Sequence, residues 1–177
     1  MTTKFINSVL PCIQHEGGYN DIKSDKGGAT NYGISLRFLK GINEDIDGDG
    51  VVTYLDIKKL TKDDAISLYH DNFWKAIYEK MPDKLAAKVF DVSVNAGSSR
   101  AHILLQRALN KLGSKLTVDG LVGNATLTEI AKYTDQAIVN SYCAVQLEFY
   151  KGLVLKDASQ EKFLAGWTNR AKYLRKL

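Results

Sequence analysis

At 177 residues the chain is long enough to bury a hydrophobic core without disulfide or metal staples, and it most simply forms one domain. Two prolines, 45% hydrophobic and 25% charged residues exclude collagen-like, low-complexity and disordered classes, and no apolar run approaches the ~20 residues of a membrane span. The formal charge of +4 comes from scattered lysines and not from a basic arm, so a mildly anionic partner is expected and nucleic acid is not.

Phe5, Ile6, Val9, Leu10 and Ile13 recur at helical spacing and predict an amphipathic helix whose stripe, continued by three residues, lands on Glu16. A glutamate in that position is partly desolvated and meets the negative end of the helix dipole, and both effects favour the protonated acid. His15 falls off the stripe and reads as a surface imidazole. Gly17 and Gly18 suit a left-handed helix stop that leaves room for a bulky group to approach. Residues 18–34, dense in Gly, Asn, Asp and Ser, predict a turn-rich loop or small hairpin.

Thr61 with Asp64 resembles a capping box, and Ile66, Tyr69, Phe73 and Ile77 predict a helix face that runs to near Pro82. The next helix is expected over 83–96, stopped by Gly97. Ser98 or Ser99 is expected to cap its successor, which carries Leu104, Leu105, Ala108, Leu109 and Leu112. Residues 117–127 form a glycine-punctuated corner, with Asn124 capping a helix that bears Leu127, Ile130 and Ala131. Two more helices are expected over about 135–151 and 160–175. Trp74, Tyr150 and Trp167 fall on helical stripes where core packing is the default, and Cys12 and Cys143 match no metal spacing and read as reduced, buried thiols, the alternative being a bridge if the first and sixth helices pack together. The sum is a mainly α domain with one irregular or hairpin lobe after the first helix.

The stretch "DIDGDGVVTYLD" has the form of an EF-hand calcium loop. Asp45, Asp47 and Asp49 offer carboxylates at positions 1, 3 and 5, Gly50 permits the turn, Val51 offers a carbonyl, Thr53 a hydroxyl, and Asp56 the acid at position 12. A Ca²⁺ here would be structural, since no catalytic equipment surrounds it; the bland alternative is a solvated acidic turn.

Cleavage of a glycosidic bond needs an acid that protonates the departing oxygen, and a second polar group that stabilises the sugar cation or holds water. Glu16 supplies the first, and Asp25, Thr30 and Asn31 are candidates for the second, with Asp25 equally able to shape the loop alone. The spacing resembles that of phage-type lysozymes, which place Glu, Asp and Thr with eight and then five intervening residues. Here the first gap is kept, and the second points to Asn31, with Thr30 one position early.

A fuller resemblance is to the glycoside hydrolase family 108 muramidases, found as phage endolysins and secretion-linked muramidases. It rests on Glu16 to Tyr19, Asp25, Gly27, Gly28, Thr30, Gly33 and Ile34, then on "FDVSVNAG", "LLQRALN" and "VDGLVGNATL". The resemblance implies a lysozyme-like helical fold over residues 1–177, with the catalytic motif in 1–97 and a peptidoglycan-binding-type helical region in 98–177. It implies hydrolysis of the β-1,4 bond between N-acetylmuramic acid and N-acetylglucosamine, with Glu16 as the catalytic acid and no catalytic cofactor. Tyr19, Tyr32 and Asn95 are candidate substrate contacts, because aromatic faces stack on sugars and amides bond N-acetyl groups.

The expected partner is the peptidoglycan glycan strand, met by a monomer. The N-terminus has no signal-peptide pattern, so the protein is expected to be made in the cytoplasm and to reach the wall or periplasm through a holin or another non-standard route. The rival functions are a non-catalytic wall or secretion-apparatus binding protein on the same scaffold, and a calcium-responsive adaptor built on the acidic loop.

Overall fold

The N-terminal apolar stripe folds as α1 (Thr3–Glu16), though the face it buries is rotated from the expected one. Phe5, Val9, Cys12 and Ile13 are buried together with Ser8, while Ile6 and Leu10 are only half-buried. The two small polar side chains tolerate this because each hydrogen-bonds the preceding turn: the Ser8 hydroxyl donates to the Lys4 carbonyl and the Cys12 thiol to that of Ser8. The computed structural model describes residues 1–16, 19 and 28–173, apart from the side chains of residues 14–16 and 173. It divides the chain into two compact units, Met1–Asn72 and Phe73–Leu177.

In the first unit a two-residue hairpin pairs β1 (Thr30–Asn31) antiparallel with β2 (Ile34–Ser35), in the register Thr30 to Ser35 and Asn31 to Ile34. Ser35 then caps α2 (Leu36–Ile42), its hydroxyl accepting from the Phe38 amide, and Asn43 ends that helix in the left-handed conformation. Neither α2 nor α3 (Tyr54–Lys59) was expected from periodicity; at seven and six residues they are too short to show any. The Thr61 and Asp64 capping box forms at the start of α4 (Lys62–Phe73), with the Thr61 amide donating to Asp64 and the Asp64 amide to the Thr61 hydroxyl. The helix ends at Phe73 and not near Pro82. Ile77 lies on a separate 3-10 turn, Ala76–Lys80, and the buried face of α4 is Ala65, Leu68 and Tyr69 in place of Ile66.

In the second unit α5 (Asp83–Ala96) and α6 (Ser98–Lys111) are separated by Gly97 alone, whose φ of 84° only glycine adopts readily. Gly97 is thus both the stop of one helix and the start of the next, and Ser98 and Ser99 lie inside α6 instead of capping it. The same correction applies to Asn124, which is the first residue of α7 (Asn124–Ile130) behind a Gly123 cap. The long α8 (Asp135–Lys156) extends five residues beyond expectation and is followed by α9 (Glu161–Tyr173). The N-terminal amides of α5 are capped from 50 residues away: Asp135 accepts from the amides of Lys84 and Leu85. Among the described residues no helix is long and apolar enough to cross a membrane, and neither Cys12 nor Cys143 is in a disulfide.

Three polar groups organise the core of this unit. Lys88 is fully buried on α5 and donates to the Ala171 carbonyl of α9; burial pushes its ammonium below the ordinary lysine range. Gln106 on α6 accepts from the Gly120 amide and donates to Asp119 and the Leu121 carbonyl, which folds residues 119–121 onto the helix. Gly120 has φ of 78°, and a Cβ there would stand 3.3 Å from the Ser99 carbonyl oxygen, so both conformation and space demand glycine. His102, one turn before Gln106, contacts the Gly120 carbonyl through Nδ1 and the Tyr78 hydroxyl through Nε2. A carbonyl only accepts, so Nδ1 carries the proton and the neutral Nε2 accepts from Tyr78.

Burial holds His102 below the ordinary histidine range, against the Gly120 carbonyl that raises it. Its folded-state pKa is therefore lower than its unfolded one, the unfolded chain binds more protons between the two, and stability falls as the pH drops below about 6.5. The unfolding midpoint should decline between pH 7 and pH 5, and His102→Gln should flatten that decline in parallel thermal melts. An unchanged slope in the variant would remove His102 as its source.

Candidate functional site

Glu16 is the last residue of α1, and the chain is next described continuously from Gly28, which leads into the hairpin. The Glu16 and His15 side chains and the whole of Asp25 lie outside the described residues. Tyr32 and Gly33, the two turn residues, have φ of 50° and 80°. Positive φ at both positions is the twist a two-residue hairpin requires, and a tyrosine so placed is a strained choice, costing of order 1–3 kcal/mol. The Tyr69 hydroxyl of α4 donates to the Tyr32 carbonyl at 3.1 Å and pins the turn.

Adjacent residues of a strand face opposite ways, and β1 shows the consequence. Asn31 is buried, and its amide donates at 3.1 Å to the carbonyls of both Ile57 and Leu60, at the end of α3. It serves as a cap for a helix end that would otherwise leave its carbonyls without donors. Thr30 stands half-buried on the other face, with no side-chain hydrogen bond among the described residues. Of the two candidates for holding water, Asn31 has both amide protons engaged and Thr30 does not.

The acidic loop precedes α3. Asp45, Asp47 and Asp49 bring one carboxylate oxygen each within 4.8 Å of one another, a donor set of hard oxygens that fits Ca²⁺. The loop is wound tightly, with Gly48 and Gly50 at φ of 74° and 90° and both amides donating to Asp45. Lys59 lies 3.0 Å from Asp47, and that hydrogen bond raises its ammonium above the ordinary lysine range. Asp56 does not join the trio. It is fully buried and accepts from three backbone amides, those of Ile46, Asp47 and Thr53. Thr53 and Asp56 form a capping box on α3, with the Thr53 hydroxyl accepting from Leu55. Val51 is exposed at the outer edge of the loop.

Of the remaining candidates, Tyr19 is exposed, and Asn95 stands near the end of α5 with its amide donating to the Asp91 carbonyl. Asn95 lines a cavity of about 310 Å³ with Arg100, Phe149, Tyr150 and Trp167. Trp167 stacks on Tyr150 there, with ring centroids 5.1 Å apart. Tyr150 is buried on α8 as its stripe predicted; Trp74 is buried too, but just beyond the end of α4 and on no helix, and Trp167 is only half-buried.

Residues 10–97 match the profile described as Glycosyl hydrolase 108, and residues 100–172 match that described as Predicted Peptidoglycan domain. Among solved structures, SagA of Brucella abortus is 30% identical, with 97% of this chain and 91% of that one covered and a TM-score of 0.77. The chain belongs to glycosyl hydrolase family 108. It is thus a glycosidase of a peptidoglycan-related family with a mainly α, lysozyme-like fold. A search of curated proteins returns no match. The two profiles are divided between residues 97 and 100, beside the Gly97 break, whereas the compact units divide at residue 72.

Sequence reasoning missed the bracing of this family 108 lobe by Asn31 and Tyr69, whose partners lie 26 to 37 residues away. The one local signal was the Thr53 and Asp56 spacing, which fits a capping box as well as the end of a calcium loop. Burial pushes the Asp56 carboxyl up, but the amides of Thr53, Ile46 and Asp47 outweigh it and hold the group below its ordinary value of 3.8. Its contribution to stability is therefore fully present above that pH and lost below it. Asp56→Ala should destabilise the fold by about 1–3 kcal/mol at neutral pH, since it leaves buried amides without an acceptor. The gap from the parent should narrow in acid. Equal denaturant midpoints at neutral pH would contradict the bracing role.

Proposed function

We propose that this chain is an N-acetylmuramidase that cleaves the β-1,4 bond after N-acetylmuramic acid in peptidoglycan, with Glu16 as general acid. The observation that carries it is the position of Glu16 at the end of α1, within the matched residues 10–97 and ahead of a strained, pinned hairpin. An acid at that point can protonate the leaving oxygen, and a general acid contributes about 10² to 10⁴ in rate. Asp25 stabilises the sugar cation or orients water. Thr30 takes the water-holding part because the Asn31 amide is engaged on α3. Tyr19, Tyr32 and Asn95 contact the glycan, and the protein acts as a monomer at the wall after export through a holin or another route.

Glu16→Gln keeps the shape and removes the proton. Clearing of wall suspensions should fall by about 10² to 10⁴ with the melting temperature retained. A variant that keeps most of its activity would overturn the assignment, and a parent that binds walls without releasing fragments would favour a binding protein on this scaffold. Mass spectrometry of the products should show reducing N-acetylmuramic ends; 1,6-anhydro ends, lighter by one water, would make the reaction a transglycosylation.

The acidic loop is proposed to hold one structural Ca²⁺ through Asp45, Asp47, Asp49 and the Val51 carbonyl, with Thr53 and Asp56 as the remaining positions of the motif. Support comes from the oxygen trio and from Lys59, a cation already drawn to Asp47. Because Asp56 and α3 connect the loop to Asn31, the ion would stiffen the hairpin without entering the chemistry. Millimolar calcium should raise the melting temperature relative to chelator in the parent and in Glu16→Gln but not in Asp47→Ala. No shift, together with no heat of binding, would leave an acidic turn.

A further inference from the structure

One groove in the second unit has no part in the chemistry proposed above. It runs between α6 and α8, has a volume of about 660 Å³, and is walled by Arg100, Arg107 and Lys111 on one helix and by Glu148, Phe149 and Lys156 on the other. Both walls follow from sequence spacing. Positions 100, 107 and 111 share one face of α6, and 145, 149, 152 and 156 share one face of α8. Four cations face one carboxylate, and that carboxylate is paired with Lys111. Arg100 lies over the Phe149 ring, its guanidinium carbon 4.9 Å from the centroid, which holds the cation against the wall. Arg107 is exposed, and neither it nor Lys156 has an ion-pair partner among the described residues.

The groove floor supplies an observation independent of charge. Gly152 sits inside the 22-residue α8, where a glycine costs about 1 kcal/mol relative to alanine. A Cβ at that position would meet nothing within 4 Å, so packing does not require the glycine. Its effect is to keep the space between the cationic walls open, beside the apolar Val145 and Leu153.

We propose that this groove binds the peptide stems of peptidoglycan, a class of short chain that combines several carboxylates with alanine-sized side chains. The proposal rests on the peptidoglycan assignment and adds the part of the polymer that is recognised and the residues that recognise it. Stem carboxylates pair with Arg100, Arg107 and Lys156, where guanidinium forks suit carboxylates in two-point contact. The alanine methyls lie on the Gly152 floor. The groove's size is within the range of about 300–1,000 Å³ typical of small-ligand sites, and it shares Arg100, Phe149 and Leu153 with the cavity that Asn95 lines, so the two adjoin.

The test is calorimetric or NMR titration of the full chain with free L-Ala-γ-D-Glu-meso-diaminopimelyl-D-Ala tetrapeptide, beside an activity assay on peptide-free glycan strands. The parent should bind with an affinity that weakens as salt rises. Arg107→Glu should weaken binding by about tenfold or more through lost pairing and added repulsion. Gly152→Leu keeps every charge and favours helix, so it should fold and yet lose binding because the floor is filled. Absence of binding by the parent at millimolar peptide, or affinity equal to the parent's in both variants, would overturn the proposal. Equal displacement of the peptide by inorganic phosphate would also overturn it, since the groove would then be a general anion patch. Cleavage of bare strands without peptide binding would sink this inference and leave the muramidase reading standing; peptide binding without cleavage would do the reverse.

Discussion

Three backbone amides converge on the buried carboxylate of Asp56, and the geometry of the first unit depends on that convergence. Ile46 and Asp47 come from the start of the acidic loop and Thr53 from its end, so one side chain closes the loop on itself. The same residue opens α3 as the return half of a capping box. Asn31 then caps the far end of that helix, which ties β1 to it, and Tyr69 holds the hairpin turn from α4. A hairpin of two-residue strands has almost no ladder of its own, and these side-chain anchors substitute for one.

The second unit is stabilised in another way. Its long helices bury continuous apolar faces, such as Leu104, Leu105, Ala108 and Leu109 on α6, and burial of each such leucine contributes about 1.5–3 kcal/mol. Several polar groups sit where the chain must turn or a helix end must be satisfied. Gln106 and His102 hold residues 119–121, and Asp135 caps α5 from the start of α8. The helices themselves do not need these groups; the corners between them do.

That contrast explains what was legible in the sequence. The bounds of α5 were readable to the residue because Gly97 marks its end, and the same glycine explains the misplaced cap of α6: once it occupies the junction, Ser98 has no terminus left to cap. The rotation of the α1 face was hidden because Ser8 and Cys12 look polar or neutral until their bonds to the preceding turn are seen. In the candidate site, the helix end at Glu16 was legible, and the hairpin that is described, residues 30–35, falls at the end of the expected loop. The role of Asn31 was invisible, since it is defined by carbonyls 26 and 29 residues away and an asparagine beside a turn has many local uses.

The two proposed binding regions differ in how their geometry is held. Packed helices fix the points from which side chains spring, so a groove between α6 and α8 keeps the order of its charges without further support. A site that uses a short hairpin has no such default, and a positive φ at Tyr32 persists only if its surroundings determine it more than once. The Tyr69 hydroxyl supplies one constraint and the Asn31 amide a second, and the latter transmits whatever happens at the acidic loop through α3. An ion bound by Asp45, Asp47 and Asp49 would therefore act on the hairpin through backbone placement, in the same direction as Asp56 and Asn31 already act. Its effect on turnover would follow the rigidity of the lobe and not the pKa of the acid, which separates a structural cation from a catalytic one.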